Sequence, residues 1–237
     1  MTRIGAVLRR ELASYFLSPV AYVVMAVFAM IYGIFFNGIF ITYGVANLQL
    51  TFSNLIVVLL FMAPIMTMRS LAEERKLGTE ELLMTAPVST SEIVLGKFCA
   101  LLGALGTMLA LLLIHLGIIL SFAQPDLGPI IAGLFGLLLL GATFTAIGLF
   151  TSALSDNQIV AGLISFGILL LLWLMDWLGD SVGGKIGEAV SSLSLMKHYD
   201  DFSKGIVDSS NVIFYLSVLA FFILLTIWRV ESRRWRR

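Results

Sequence analysis

A single cysteine, Cys99, and two histidines, His115 and His198, are all that this 237-residue chain offers to thiol or imidazole chemistry. One cysteine excludes an internal disulfide and a multi-cysteine metal cluster. Charge is scarce too: Asp, Glu, Lys and Arg make up 13% of the residues and sum to zero. Outside the C-terminal "RRWRR" the chain has no basic run with interleaved aromatics, and nucleic acid is not expected as a partner. H-E-x-x-H does not occur and the chain has only two histidines, so an intramembrane hydrolase is not expected. The nearest approach to a phosphate loop, "SEIVLGKF", lacks both the first glycine and the Ser or Thr, so ATP is not expected to be held by this chain.

What the chain has is hydrocarbon. Hydrophobic residues reach 59% and the mean hydropathy is +1.00, against about 45–50% apolar in a soluble domain. Six stretches, 20–41, 48–68, 98–122, 130–154, 159–178 and 212–228, are long enough as helices to cross a hydrocarbon core about 30 Å thick. The expected fold is an all-α polytopic membrane protein, a single domain over 1–237. The first run exceeds a signal-peptide core of about 7–15 residues and reads as a retained span.

Net neutrality hides an asymmetry. Twelve of the fifteen Lys and Arg fall in three regions. These are the N-terminus (Arg3, Arg9, Arg10), the segment 69–97 (Arg69, Arg75, Lys76, Lys97) and the C-terminus (Arg229, Arg233, Arg234, Arg236, Arg237). Six spans put these regions on one face, and the positive-inside rule makes it the cytoplasm of a bacterial inner membrane. Lys185, Lys197 and Lys204 lie in 179–211 with Asp180, Glu188, Asp200, Asp201 and Asp208, which is expected outside.

Two amphipathic pieces flank the spans. Ile4, Val7, Leu8, Leu12, Tyr15 and Phe16 recur at helical spacing within 1–18, which predicts an interfacial helix that Pro19 ends. Leu195, Met196, Tyr199, Phe202 and Ile206 form a second stripe, expected half sunk in the outer interface.

The segment "LAEERKLGTEELLMTAPVSTSEIVLGK" is the longest water-adapted part of the chain. Gly78 is suited to end one short helix, Thr79 to cap the next with Glu80 and Glu81 in its first turn, and Pro87 to close it. Ser89 and Glu92 form a capping box, so the third span starts within this charged layer. Such an elbow suits force transmission or partner docking; a solvated connecting loop is the plain alternative.

The pattern resembles the cytoplasmic signature of ABC-type-2 permeases, the six-span membrane subunits of ABC transporters. Glu74, Gly78, Thr79, Glu81, Leu82, Pro87, Gly96 and Lys97 occupy the matching positions. Within that superfamily "HYDDFSKGIVD" resembles the gliding-motility-associated branch. The resemblance implies that 69–97 is a coupling helix docking on a separate ABC ATPase, which carries the ATP and Mg. Glu73, Glu74, Glu80 and Glu81 would form its acidic docking face, and Leu82, Leu83 and Met84 its apolar counterpart. It further implies export, a second permease copy or related permease, and, for the branch, an auxiliary membrane subunit with an extracytoplasmic domain.

Other residues have two readings each. Asn37, Asn54, His115, Thr143 and Thr145 are candidates for a polar path, or for ordinary interhelical hydrogen bonds. Asp176, flanked by Trp173 and Trp177, fits an interfacial belt better than a gate. Gly96, Ala100 and Ala104, and Gly141 with Thr145, suit close helix packing, within one chain or across a dimer. His198, Tyr199, Asp200, Asp201 and Phe202 are candidates for an outer gate or partner surface within a lid over 179–211. His198, Asp200 and Asp201, three groups adjacent in sequence but on different helical faces, rarely converge on one ion, so no metal is expected there. Two rival functions stand beside export: a non-transporting mechanotransmission subunit, and an ATPase-independent channel or secondary transporter.

Overall fold

The computed structural model describes residues 3–43, 48–79, 88–122 and 124–234, and is all-helical over them. The helices are α1 (Arg3–Leu17), α2 (Pro19–Tyr43), α3 (Leu48–Thr67), α4 (Arg69–Lys76), α5 (Thr90–Ala110) and α6 (Leu112–Phe122). They continue with α7 (Leu127–Ser152), α8 (Gln158–Val182), α9 (Gly184–Ser191), α10 (Leu195–Ser203) and α11 (Ser209–Arg234). Six stretches are long and apolar enough to cross a membrane, namely α2, α3 with α4, α5 with α6, α7, α8 and α11.

The fourth of these, α7, is the hub. In its most apolar window 78% of residues are buried, against 22% for α2, α8 and α11, which turn Met30, Leu163, Trp177, Phe221 and Trp228 outward. Small residues explain how one helix accepts so many neighbours. Gly133 admits Phe52 of α3, Gly136 admits Phe202 of α10, Gly141 admits Leu105 of α5, and Gly148 admits Thr67 of α3. A side chain at any of them would overlap its guest.

The outer stripe is placed differently from the interfacial position expected of it. Leu195, Tyr199 and Phe202 are buried against protein, with the Tyr199 hydroxyl donating to the Gly133 carbonyl at 3.3 Å. The Tyr215 hydroxyl of α11 donates to the Leu195 carbonyl at 2.6 Å and closes the other side. Thus α10 plugs one end of the bundle. A Cβ on Gly136 would lie 2.7 Å from Phe202 Cβ. Gly136→Val is therefore expected to cost about 1–3 kcal/mol by overpacking. Gly167→Val, where nothing lies within 4 Å, serves as control; thermal unfolding of the two purified variants checks the difference.

At the opposite end, α1 lies against the first half of α5. Gly96 and Gly103 accept Val7 and Leu12 at distances no real Cβ would tolerate, 2.7 and 2.9 Å from the nearest side-chain atom. Gly96, one of the spaced small residues on α5, thus serves packing within one chain.

Candidate functional site

The charged end of the bundle is built on α4, which prolongs α3 through Met68 without leaving helical geometry (φ −55°, ψ −30°). Its N-cap residue supplies no side-chain bond. The missing partner comes from the end of α7. Ser152 Oγ accepts the N–H groups of Leu71 at 2.9 Å and Ala72 at 3.0 Å, and donates to the Met68 carbonyl at 3.1 Å. A hydroxyl inserted into a helical ladder in this way fixes the direction of the following segment. Arg75 then donates to the Ala153 carbonyl at 2.6 Å. Asp156 lies 3.8 Å from Arg75 and 3.2 Å from Arg233 of α11. One elbow is thereby tied to the ends of two further spans.

Its other face holds a buried ion cluster. Lys97 of α5, 1% exposed, places Nζ 2.9 Å from Glu74 Oε1, 3.0 Å from Glu11 Oε1 and 2.9 Å from the Ser70 carbonyl. Those three acceptors use all the donors of an ammonium. Arg10, half exposed, adds a bond to Glu74 at 3.0 Å. The Tyr15 hydroxyl donates to the Met66 carbonyl at 3.2 Å. Helices α1, α4 and α5 therefore meet around one lysine, and Tyr15 ties α1 to the end of α3.

These contacts give physical meaning to residues singled out by pattern. Glu74 and Lys97, 23 positions apart, form an ion pair, and Gly96 gives α1 the room to reach it. Glu74 is accordingly turned inward, whereas an outward docking carboxylate was expected. Glu73 holds Arg69 by two bonds of 2.9 and 3.1 Å and is one-third exposed. Gly78 ends α4 at φ +71°, a conformation that favours glycine. Thr79 Oγ1 donates to the Glu74 carbonyl at 3.3 Å. Glu80, Glu81, Leu82, Leu83, Met84 and Pro87 lie outside the described residues. Beyond them the capping box is present: Ser89 Oγ accepts from Glu92 N at 3.3 Å and Glu92 Oε2 from Ser89 N at 2.8 Å.

At the far end, His198 stacks on Phe214 with ring centroids 3.7 Å apart, and its Nδ1 contacts the Ser194 carbonyl at 2.9 Å. Tyr199 and Phe202 belong to the α7 contact, and burial pushes the Tyr199 phenol above its ordinary range. Asp201 accepts from Asn211 at 2.8 Å. Asp200 sits on the rim, its carboxyl raised by partial burial and by Asp176 and Asp201 against the opposing Lys204.

The polar-path candidates are not brought together. Asn37 and Asn54 are exposed on α2 and α3. Thr143 and Thr145 are buried and bond carbonyls of their own helix, Thr143 also reaching the Tyr215 carbonyl at 3.4 Å. His115 packs edge-on against Tyr32 and Phe36. Interhelical hydrogen bonding accounts for Thr143 without a path.

Sequence reading missed Glu11 and Ser152. Glu11 had a signal: it falls at helical spacing between Val7 and Tyr15, on the apolar stripe, as the one acid of α1. Ser152 had none, being one more small polar residue at a span end.

Residues 42–179, more than half the chain, match a family described as "ABC-2 family transporter protein". The matched stretch contains the elbow, Lys97 with its partner Glu74, and the hub helix, while Glu11 and Arg10 precede it. No curated protein matches the chain.

Proposed function

The chain belongs to the ABC-2 transporter family, as a membrane subunit of an ABC transporter, and we propose that it couples ATP hydrolysis on a separate ATPase subunit to export of a substrate across the bacterial cytoplasmic membrane. Both termini and the elbow lie on the cytoplasmic side in this reading, in keeping with their share of the Lys and Arg. Two copies, or one copy and a related permease, would form the route between them, under the outer segment 179–211.

The observation that carries the proposal is the way α4 is held. A force applied to a loose loop dissipates; a force applied to α4 meets Ser152 and Arg75 on one face and Lys97 on the other. Movement of a docked partner is thereby handed to α1, α5, α7 and α11 together. The docking face is reassigned to Glu73, Glu80 and Glu81 with Leu82, Leu83 and Met84, because Glu74 is engaged internally.

The test is the ATPase rate of the purified complex in lipid. Glu81→Lys, a charge reversal on the docking face, is expected to weaken partner binding about tenfold or more and to depress membrane-stimulated hydrolysis with the permease still folded. Unchanged binding and hydrolysis would return the elbow to a connecting loop.

A second reading is favoured by the dispersed polar residues of the spans. With Asn37 and Asn54 exposed and Thr143 and Thr145 internally bonded, these candidates line no polar path among the described residues, while α10 is locked to the hub. The same ATP-driven movement would then work on an extracytoplasmic partner through His198, Asp200 and Asp201. An auxiliary subunit of the gliding-motility-associated kind would fill that role. ATP-driven uptake into inverted vesicles that proceeds without any such partner decides for transport.

A further inference from the structure

Helix α3 packs on α2, α7 and α8 and leaves one narrow strip uncovered. Between residues 50 and 65 only Leu50, Asn54, Val57, Phe61 and Ile65 are exposed, at spacings of four, three, four and four. That is the spacing of a seam covered by a single neighbouring helix, narrower than the face a helix turns to lipid. The outer helices differ: the most apolar window of α2, α8 or α11 is 22% buried, that of the α3–α4 stretch 67%.

Four of the five seam residues are apolar, and hydrocarbon alone would suit them. Asn54 is the exception. Arg69, the first charge of the elbow, follows it by 15 residues, about 22 Å along the helix at 1.5 Å per residue. With Arg69 at the inner edge of a hydrocarbon core about 30 Å thick, the amide lies about 8 Å inside the outer edge. Its side chain is too short to reach the headgroups from there. Nor is the amide used within the chain. Asn37 donates to the Gly33 carbonyl at 2.8 Å, whereas Asn54 makes no hydrogen bond among the described residues. Lipid tails supply neither donor nor acceptor, so an amide facing them carries the full cost of its desolvation. Whatever covers the seam therefore brings a polar group at this depth.

A second copy of the chain does so by symmetry. Both copies cross the membrane in the same sense, so a two-fold axis relating them runs along the membrane normal and sets each residue level with its twin. An amide is its own complement, its NH2 donating to the other's oxygen while its own oxygen accepts in return. One Asn in an otherwise apolar seam fixes register and favours pairs of helices. We propose that Leu50, Asn54, Val57 and Phe61 of α3 form the contact with a second copy of this chain, the two Asn54 amides hydrogen-bonded across the axis. The inference rests on the two-copy assembly of the proposed function, and not on its ATPase coupling or its direction of transport.

The purified full-length chain carrying Cys99→Ser, reconstituted in liposomes at low protein density, tests it. Val57→Cys, one turn from Asn54 and leaving the amide in place, is expected to give a disulfide-linked dimer on oxidation. Leu216→Cys, exposed on α11 at a similar height in the membrane, is expected to stay unlinked. Asn54→Leu, close to Asn in size, is expected to weaken pairing about tenfold, read by energy transfer between copies labelled at the C-terminus. A dimer that Val57→Cys fails to link would overturn the seam and leave the two-copy assembly standing; a chain monomeric at every density would overturn both. Equal linking of Leu216→Cys, or undiminished pairing in Asn54→Leu, would likewise overturn the proposal.

Discussion

Lys97→Met is expected to destabilise the protein by about 3–5 kcal/mol, the cost of removing one partner from a buried ion pair. Methionine matches the length of the lysine stem, so the loss is electrostatic and not a cavity. Without Nζ, Glu11 and Glu74 share one buried site with only the half-exposed Arg10 to offset them, and the Ser70 carbonyl loses its donor. Single removal of an acid should be milder. Glu11→Gln leaves Lys97 paired with Glu74, and Glu74→Gln leaves it paired with Glu11. The triple variant Lys97→Met, Glu11→Gln, Glu74→Gln should recover much of the loss, because neutral groups in a buried site avoid the desolvation cost that unpaired charges carry. Denaturant or thermal unfolding of the purified set in micelles gives the comparison. If Lys97→Met unfolds at the wild-type midpoint, the cluster does not hold α1, α4 and α5 together.

Ser152→Ala is expected to have the second-largest effect, and to separate stability from coupling. The hydroxyl serves two N–H groups and one carbonyl, on residues 0–3% exposed at Leu71 and Ala72. An unsatisfied buried group costs about 1–3 kcal/mol, so a loss of about 2–4 kcal/mol follows if α4 keeps its direction. The helix has an alternative. Leu71 N can bond the Thr67 carbonyl directly, straightening α3 into α4 and freeing the elbow from α7. That outcome preserves stability and lowers ATPase stimulation by the permease. Ser181→Ala, an exposed serine bonded only to its own helix, is the control and should change stability by less than about 0.5 kcal/mol. Wild-type stability together with wild-type coupling would show that Ser152 does not carry the connection.

Both residues show where sequence reading stops. The capping box at Ser89 was legible because its two bonds span three positions. The end of α4 at Gly78 was legible because only the backbone conformation of one residue is at stake. Glu74 was placed on the wrong face: a charged helix beyond the hydrocarbon has no internal mark of inside and outside, and its facing is set by Lys97 on another helix. Gly96 and Lys97 were recognisable as a pattern, yet the partner that gives them meaning, Glu11, lies in a helix separated from them by two spans.

The same limit applies to the apolar surfaces. The amphipathic stripe of α10 was visible, and its expected neighbour was lipid; its actual neighbours are Gly133 and Gly136 of α7. Asn54 and Thr143 looked alike as span polar residues, but one faces out and the other is enclosed.

By itself, then, the sequence determined the number of spans, the charged ends and the local caps, because hydrocarbon thickness, helix rise and hydrogen bonds a few residues long act on contiguous chain. Only the tertiary structure decided which side of each helix meets protein and which meets lipid. To an apolar side chain those two environments are nearly the same solvent, so hydrophobicity drives helices into the bilayer while close packing and a few buried polar bonds decide how they face one another.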